Sequence, residues 1–212
     1  MLVDFGLLFA FGFMHSICAT TPGLRALNLP EAFERPIFVL QSTVLLHAQM
    51  IYWQSFDGPV FWDIRGTAIG YALQGVFFFG MLFLFSATFA LDHFHLMGLS
   101  QGLGVDINKA LGMNAETKKG GLAVRLHYSI VAHPIMTGFL LMNFGTPIMT
   151  APRMMLAVVN SMYCILATKC IEEPHLEKLM GNEYTNYLRT VPSFCPLFGP
   201  ARPVTKSRPK IQ

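Results

Sequence analysis

Between Thr67 and Leu91 the chain carries no charged residue, and Val76-Phe77-Phe78-Phe79 and Met81-Leu82-Phe83-Leu84-Phe85 lie inside that run. A helix crossing the hydrocarbon core of a bilayer needs roughly 20 apolar residues. Inside that core every backbone N–H and C=O must be satisfied within the segment, so such a run can only be a helix. Three further stretches approach the same length: Ile37 to Trp53, Ile130 to Thr150 and Met154 to Ile171. The last two are separated only by Ala151-Pro152-Arg153, which predicts an antiparallel helical hairpin. Leu2 to Ala19 is a weaker fifth stretch, interrupted by Asp4 and His15. A signal peptide needs a positive n-region; the start here is Met-Leu-Val-Asp, which favours a short first helix. The expected architecture is an all-α integral membrane protein with about five transmembrane helices.

Composition agrees. Hydrophobic residues make up 53% of the chain and charged ones 13%, with mean hydropathy +0.46, against roughly a quarter charged in a soluble domain. This excludes intrinsic disorder and a water-soluble enzyme. Fifteen Lys and Arg against twelve Asp and Glu give a net charge of +3. They form no basic face, so nucleic acid is not an expected partner. Their placement sets an orientation instead. Arg25 and Arg35 lie in Thr20 to Pro36; Lys109, Lys118, Lys119 and Arg125 lie in Asp92 to Leu126; Lys178, Arg189, Arg202, Lys206, Arg208 and Lys210 come after the last run. The other side holds Arg65 and Arg153, so the C-terminus is expected to be cytoplasmic. Tyr52, Trp53, Trp62 and Tyr71 bracket the Ser55 to Gly66 loop as interfacial anchors. The expected organisation is a single domain over 1–199 and a basic, disordered tail over 200–212, rich in Pro, Lys and Arg. Cys18, Cys164, Cys170 and Cys195 have no CxxC or zinc spacing and read as small buried hydrophobes.

Candidate chemistry concentrates in the second half. In His133-Pro134, proline suits a first helical turn, where its missing N–H costs nothing. His133 then stands at a helix mouth, whose unpaired donors and positive dipole end favour a carboxylate ligand; a capping histidine at the membrane interface is the alternative. Glu172-Glu173 fall at the end of the fourth run, where the helix dipole disfavours them, unless Pro174 opens another helix and they are its N-terminal charges. From His175 to Arg189, Leu176, Leu179, Met180, Tyr184, Tyr187 and Leu188 recur at helical spacing, predicting an amphipathic helix along the membrane surface. His93 and His95 stand two apart, on different faces of a helix. No HExxH is present, so neither metal nor haem is expected.

Tyr128, His133-Pro134, Gly138, Glu172-Glu173, Leu176, Gly181-Asn182-Glu183-Tyr184, Tyr187 and Val191-Pro192 together resemble the C-terminal signature of the isoprenylcysteine carboxyl methyltransferase superfamily of integral-membrane methyltransferases. Met14-His15-Ser16, Glu34-Arg35-Pro36, Val60-Phe61-Trp62-Asp63, His93-Phe94-His95 through Gln101, and Gly138-Phe139-Leu140 through Thr150 resemble its methanethiol S-methyltransferase and nurim-like branch. The resemblance runs from about residue 14 to 198. It implies S-adenosylmethionine bound at the cytoplasmic ends of the last two helices, beneath the C-terminal segment. Gln101, Tyr128, His133, Pro134 and Glu172 match its cofactor contacts, while His93, His95 and Thr168 fall on the substrate side. The carboxyl methyltransferases carry a substrate-associated arginine four residues before the first glutamate; Thr168 stands there, which weakens a prenylcysteine substrate. Met136 and Ala132 also replace usual residues around His133. The activity implied is transfer of a methyl group to a small thiol, methanethiol giving dimethyl sulfide. A non-enzymatic nurim-like scaffold and a prenylcysteine carboxyl methyltransferase are the alternatives.

Overall fold

The computed structural model describes residues 2–18, 28–112 and 126–202. Arg25, Lys118, Lys119, Arg125, Lys206, Arg208 and Lys210, and all but the start of the basic tail, therefore lie outside the described residues.

The longest apolar run forms helix α3, Ala68–Leu91. Its start is fixed by Thr67, whose hydroxyl accepts from the Gly70 amide at 3.1 Å. Its end is Asp92, at φ +128°, whose carboxylate accepts from the His95 amide. Phe78, Phe79, Leu82 and Phe85 on α3 are each more than half exposed, a surface suited to lipid rather than water. Two helices among the described residues are long and apolar enough to cross a membrane: α3, and the continuous helix from Ala151 to Met180. The other three expected spans correspond to shorter or less apolar helices: α1 (Leu2–Cys18), α2 (Glu31–Tyr52) and α7 (Pro134–Phe144).

The greatest shortfall is α7. The run Ile130 to Thr150 promised a full span, yet its helix holds 11 residues, about 16 Å at 1.5 Å per residue. Pro134 forbids helix before it, and Gly145 with Thr146-Pro147 ends it. The chain then enters strand β2 (Ile148–Thr150), antiparallel to β1 (Val60–Asp63), pairing Val60 with Thr150, Trp62 with Met149 and Asp63 with Ile148 across a bulge. The hairpin connection is thus Gly145 to Thr150. Ala151-Pro152-Arg153 instead opens helix α8, Ala151–Ala167, with Pro152 in its first turn. Trp62 acts here as a donor, its indole N–H reaching the Thr146 carbonyl at 3.0 Å.

Helices α3 and α7 cross at two glycines. A Cβ on Gly138 would lie 2.5 Å from the Gly80 carbonyl oxygen, and one on Gly80 would lie 2.7 Å from that of Gly138. Only glycine permits this approach. On the other flank α1 packs against α2 and touches α8, where Ser16 and Tyr163 share a hydrogen bond of 3.0 Å. Short helices α4 (His93–Leu96), α5 (Leu99–Leu103) and α6 (Ile107–Ala110) come after α3, and Gly98, at φ +79°, sets α5 against Pro36 of α2.

Helix α8 passes through a π-helical turn, Thr168–Glu172, into α9, Glu173–Met180. The single amphipathic helix expected from His175 to Arg189 is two. Gly181, at φ +59° and ψ −133°, breaks it before α10, Asn182–Leu188. Tyr184, Tyr187 and Leu188 of α10 are buried against Ala132 and Val191. Two backbone bonds stitch the turn after α10 onto the start of α7: Ala132 N–H to the Pro192 carbonyl at 2.8 Å, and His133 N–H to that of Ser193 at 3.0 Å.

Candidate functional site

Pro134 begins α7, so His133 stands immediately before its first turn, and no side chain among the described residues caps that end. The amides of Ile135 and Met136 therefore have no side-chain acceptor among the described residues, and with the positive dipole end they would suit an anionic group. His133 itself is 5% exposed.

The π turn decides what His133 meets. A π turn winds wider than an α turn and recurs at functional positions. Here it lets two consecutive glutamates address one imidazole. Nε2–H of His133 donates to Glu173 Oε1 at 3.2 Å, while Nδ1 faces Glu172 Oε1 at 3.8 Å. Their surroundings differ: the Glu173 side chain is 4% exposed and that of Glu172 is 44% exposed. Glu173 is engaged through Oε1. It accepts from Lys169 Nζ at 2.6 Å and, more weakly, from the Ser193 hydroxyl at 3.4 Å, while Lys169 also donates to Ser193 Oγ. The charges of this triad balance locally, and burial strengthens each bond. Glu172 keeps its second oxygen and its open side for something else.

Three tyrosines lie near these glutamates. Tyr187 donates its hydroxyl to the Tyr128 carbonyl at 2.6 Å, pinning the 3-10 turn Leu126–Ser129 that precedes α7. Burial pushes the Tyr128 phenol above its usual range, and the nearby charge of Glu172 adds to this. Burial does the same to Tyr184 and Tyr187. All three stay neutral at physiological pH. Near His133 and Glu172, two buried hydroxyls have no partner among the described residues: Thr168 Oγ1, in a residue 1% exposed, and Tyr184 Oη. Orphaned groups of this kind cost about 1 to 3 kcal/mol, and a bound polar ligand would relieve the cost. An uncapped helix mouth, a half-exposed carboxylate and orphaned hydroxyls fit a ligand bearing a carboxylate, an ammonium and hydroxyls.

Of the residues anticipated from sequence, His133, Pro134 and Glu172 converge, with Tyr128 within electrostatic reach of Glu172 and Thr168 opening the π turn. Gln101, His93 and His95 form a second group. Gln101 Nε2 donates to the His95 carbonyl at 2.9 Å, and its Oε1 is buried without a partner among the described residues. His93 Nδ1 pairs with Thr88 Oγ1 at 2.7 Å, and its ring stacks on Phe89 at 4.4 Å. None of these three contacts His133, Glu172 or Glu173 among the described residues. Sequence reasoning did not single out Lys169 or Ser193. The four-residue spacing of Lys169 and Glu173 was a readable signal for an ion pair, whereas Ser193 arrives through the turn after α10. Among the described residues no three of His, Cys, Asp and Glu gather as a metal site. A cleft of about 420 Å³ lined by Phe77, Asn143 and Arg153 lies at the far end of α7.

The chain is 35% identical to methanethiol S-methyltransferase 2 of Bradyrhizobium diazoefficiens, over 99% of this chain and 79% of that protein. It is 33% identical to the methanethiol S-methyltransferase of Mycobacterium tuberculosis, over 92% and 78%, and 31% identical to that of Pseudomonas deceptionensis, over 92% and 72%. Nurim of Xenopus laevis is 27% identical over 77% of this chain and 58% of its own length. No protein-family model and no solved structure matches the chain.

Proposed function

The chain belongs to the family of methanethiol S-methyltransferases and nurim, and on that premise we propose that it is an S-adenosylmethionine-dependent methyltransferase that converts methanethiol to dimethyl sulfide. The observation that carries the site assignment is the pairing of His133 with Glu172 and Glu173 at an uncapped helix mouth.

S-adenosylmethionine supplies, when bound, a methyl group already activated as a sulfonium. The uncapped first turn of α7 suits the amino-acid carboxylate. Glu172, with its exposed oxygen, suits the ammonium or the ribose hydroxyls, and Thr168 and Tyr184 offer hydroxyls to the remainder. Glu173, Lys169 and Ser193 act at one remove: they hold the imidazole of His133 by its Nε2–H. Tyr128 and Tyr187 close the site against water as neutral phenols. A thiolate is a good nucleophile, so the protein's task is orientation and exclusion of solvent, with no protein nucleophile required. Gln101, with His93 and His95, takes the side of the site nearer α4 and α5. The protein is a multi-pass membrane protein in this reading, with the His133 end and the C-terminus cytoplasmic. Short helices α1, α2 and α7 complete the bundle around α3 and α8, and the segment α9–α10 covers the site.

Membranes bearing the protein, given S-adenosylmethionine and methanethiol, should release dimethyl sulfide into the headspace, and Glu172→Ala should abolish it. Product independent of Glu172 would reject the site; no product from inserted wild-type protein would reject the reaction and favour an inert, nurim-like scaffold.

A further inference from the structure

Arg35 is a cation drawn into the bundle with no anion beside it among the described residues. Its guanidinium offers five N–H donors, of which Nε–H is engaged, donating to the Leu96 carbonyl at 2.7 Å. It also lies 5.0 Å over the Phe38 ring. Arginine stays charged in any protein environment, and an unpaired charge withdrawn from water is costly. Charged groups kept inside a bundle of apolar helices are functional candidates by default, with the missing partner as the question.

The neighbours of Arg35 sharpen that question. The imidazole of His15 packs 4.9 Å from Phe38 and 6.3 Å from Tyr163, within reach of the Arg35 charge, and its Nδ1 is buried with no hydrogen-bond partner among the described residues. Ser16 and Tyr163 complete the polar set by bonding to one another across α1 and α8. Three separate helices therefore contribute donors to one small region of an otherwise apolar interior. The region is narrow: a Cβ on Gly12 would come within 3.3 Å of the Tyr163 ring. A bulky acceptor has no place between α1 and α8 there. Tyr163 lies on the helix that leads into Thr168, about 7.5 Å of rise before it, and at that level Cys164 Sγ meets Met136 Sδ of α7 at 3.0 Å.

We propose that Arg35, with His15, Ser16 and Tyr163, seats the methyl acceptor, a small thiol bound as its thiolate with the proton given up to water. This rests on the thiol-methylation reading above and extends it to the acceptor's own site. A weakly hydrated guanidinium facing an apolar ring suits a soft, singly charged sulfur with one methyl group better than a doubly charged, strongly hydrated phosphate.

The test is calorimetric titration of methanethiol into full-length protein in detergent, saturated with S-adenosylhomocysteine, alongside dimethyl sulfide production and S-adenosylmethionine affinity. Arg35→Gln should weaken methanethiol binding by about tenfold or more, as removal of a charged hydrogen-bond donor does. It should raise KM for the thiol while leaving cofactor affinity within about twofold, and Arg35→Lys should restore part of the loss. Tyr163→Phe, which keeps the ring, should weaken thiol binding in the same sense and serves if Arg35→Gln fails to insert. Wild-type product formation with unchanged methanethiol affinity in Arg35→Gln or Tyr163→Phe overturns the proposed seat and leaves the reaction standing, as does a parallel loss of cofactor affinity. A wild-type protein that neither binds methanethiol nor forms product overturns both.

Discussion

Gly80 and Gly138 meet backbone to backbone, each occupying the space that the other's Cβ would need. The crossing of α3 and α7 is the most extensive helix contact among the described residues, and it brings the His133-bearing helix against the most apolar one. Gly138→Ala should therefore cost about 1 to 3 kcal/mol by overpacking. Thermal melting of the helical circular dichroism in detergent should show a clear drop, while the protein that remains folded binds cofactor normally. A wild-type melting curve would show that the helices separate at no cost.

The two neighbouring glutamates should fail in different ways. Glu173→Ala leaves the buried His133 and the partly exposed Lys169 without their carboxylate, a loss of about 3 kcal/mol when one partner of a buried pair is removed. Low yield and a lowered melting temperature are the expected result. Glu172→Ala, at a half-exposed side chain, should change stability by no more than about 0.5 kcal/mol yet lose cofactor binding in calorimetry. Equal behaviour of the two variants would contradict the division of labour.

Thr168→Val replaces an orphaned buried hydroxyl with a methyl of similar shape. Stability should rise by about 1 kcal/mol, and cofactor affinity should fall by roughly tenfold if the hydroxyl meets the ligand. Unfolding and binding measured on one preparation separate the effects. A stabilised variant with unaltered affinity would take Thr168 out of the site.

The buried tyrosines make stability depend on alkaline pH. The phenols of Tyr128, Tyr184 and Tyr187 ionise less readily when folded, so the folded state holds more protons than the unfolded one above the usual phenol value near 10. Their contribution is complete below about pH 10 and is lost as pH climbs beyond it. Melting temperature should be flat in this respect up to about pH 10 and fall above it, in step with tyrosinate absorbance; Tyr184→Phe should soften the fall. A folded protein whose tyrosines all titrate near the ordinary value would refute the burial.

The element that was most legible in the sequence was α3, because an uncharged apolar run bounded by Thr67 and Asp92 leaves one structural solution. His133-Pro134 was legible for a similar local reason, proline's place in a first turn. The ends of α7 were not. Hydropathy alone continued across Gly145 and Thr146-Pro147, but the strand pairing with Val60–Asp63 is a contact between distant segments. The break at Gly181 was likewise masked by helical spacing that persists on both sides of it. At the site, sequence offered two readings for Glu172 and Glu173, membrane-end carboxylates or N-terminal charges. Neither described the π turn, which depends on how α8 meets α7 and gives the two residues opposite exposures.

The unequal ends of the α3–α7 pair give the molecule a mechanical polarity. At one end the strand ladder, the Trp62–Thr146 bond and the Ile64–Pro147 backbone bond rivet the helices together. At the other, α3 is tied to the approach to α7 by the hydrogen bond of Ser86 to His127. The pair is built like tongs, hinged at the strands and with its jaws at His133. With a ligand bound at His133 as proposed, parting of the jaws would be its route in and out, and a reagent that stiffens the hinge would leave them free to part.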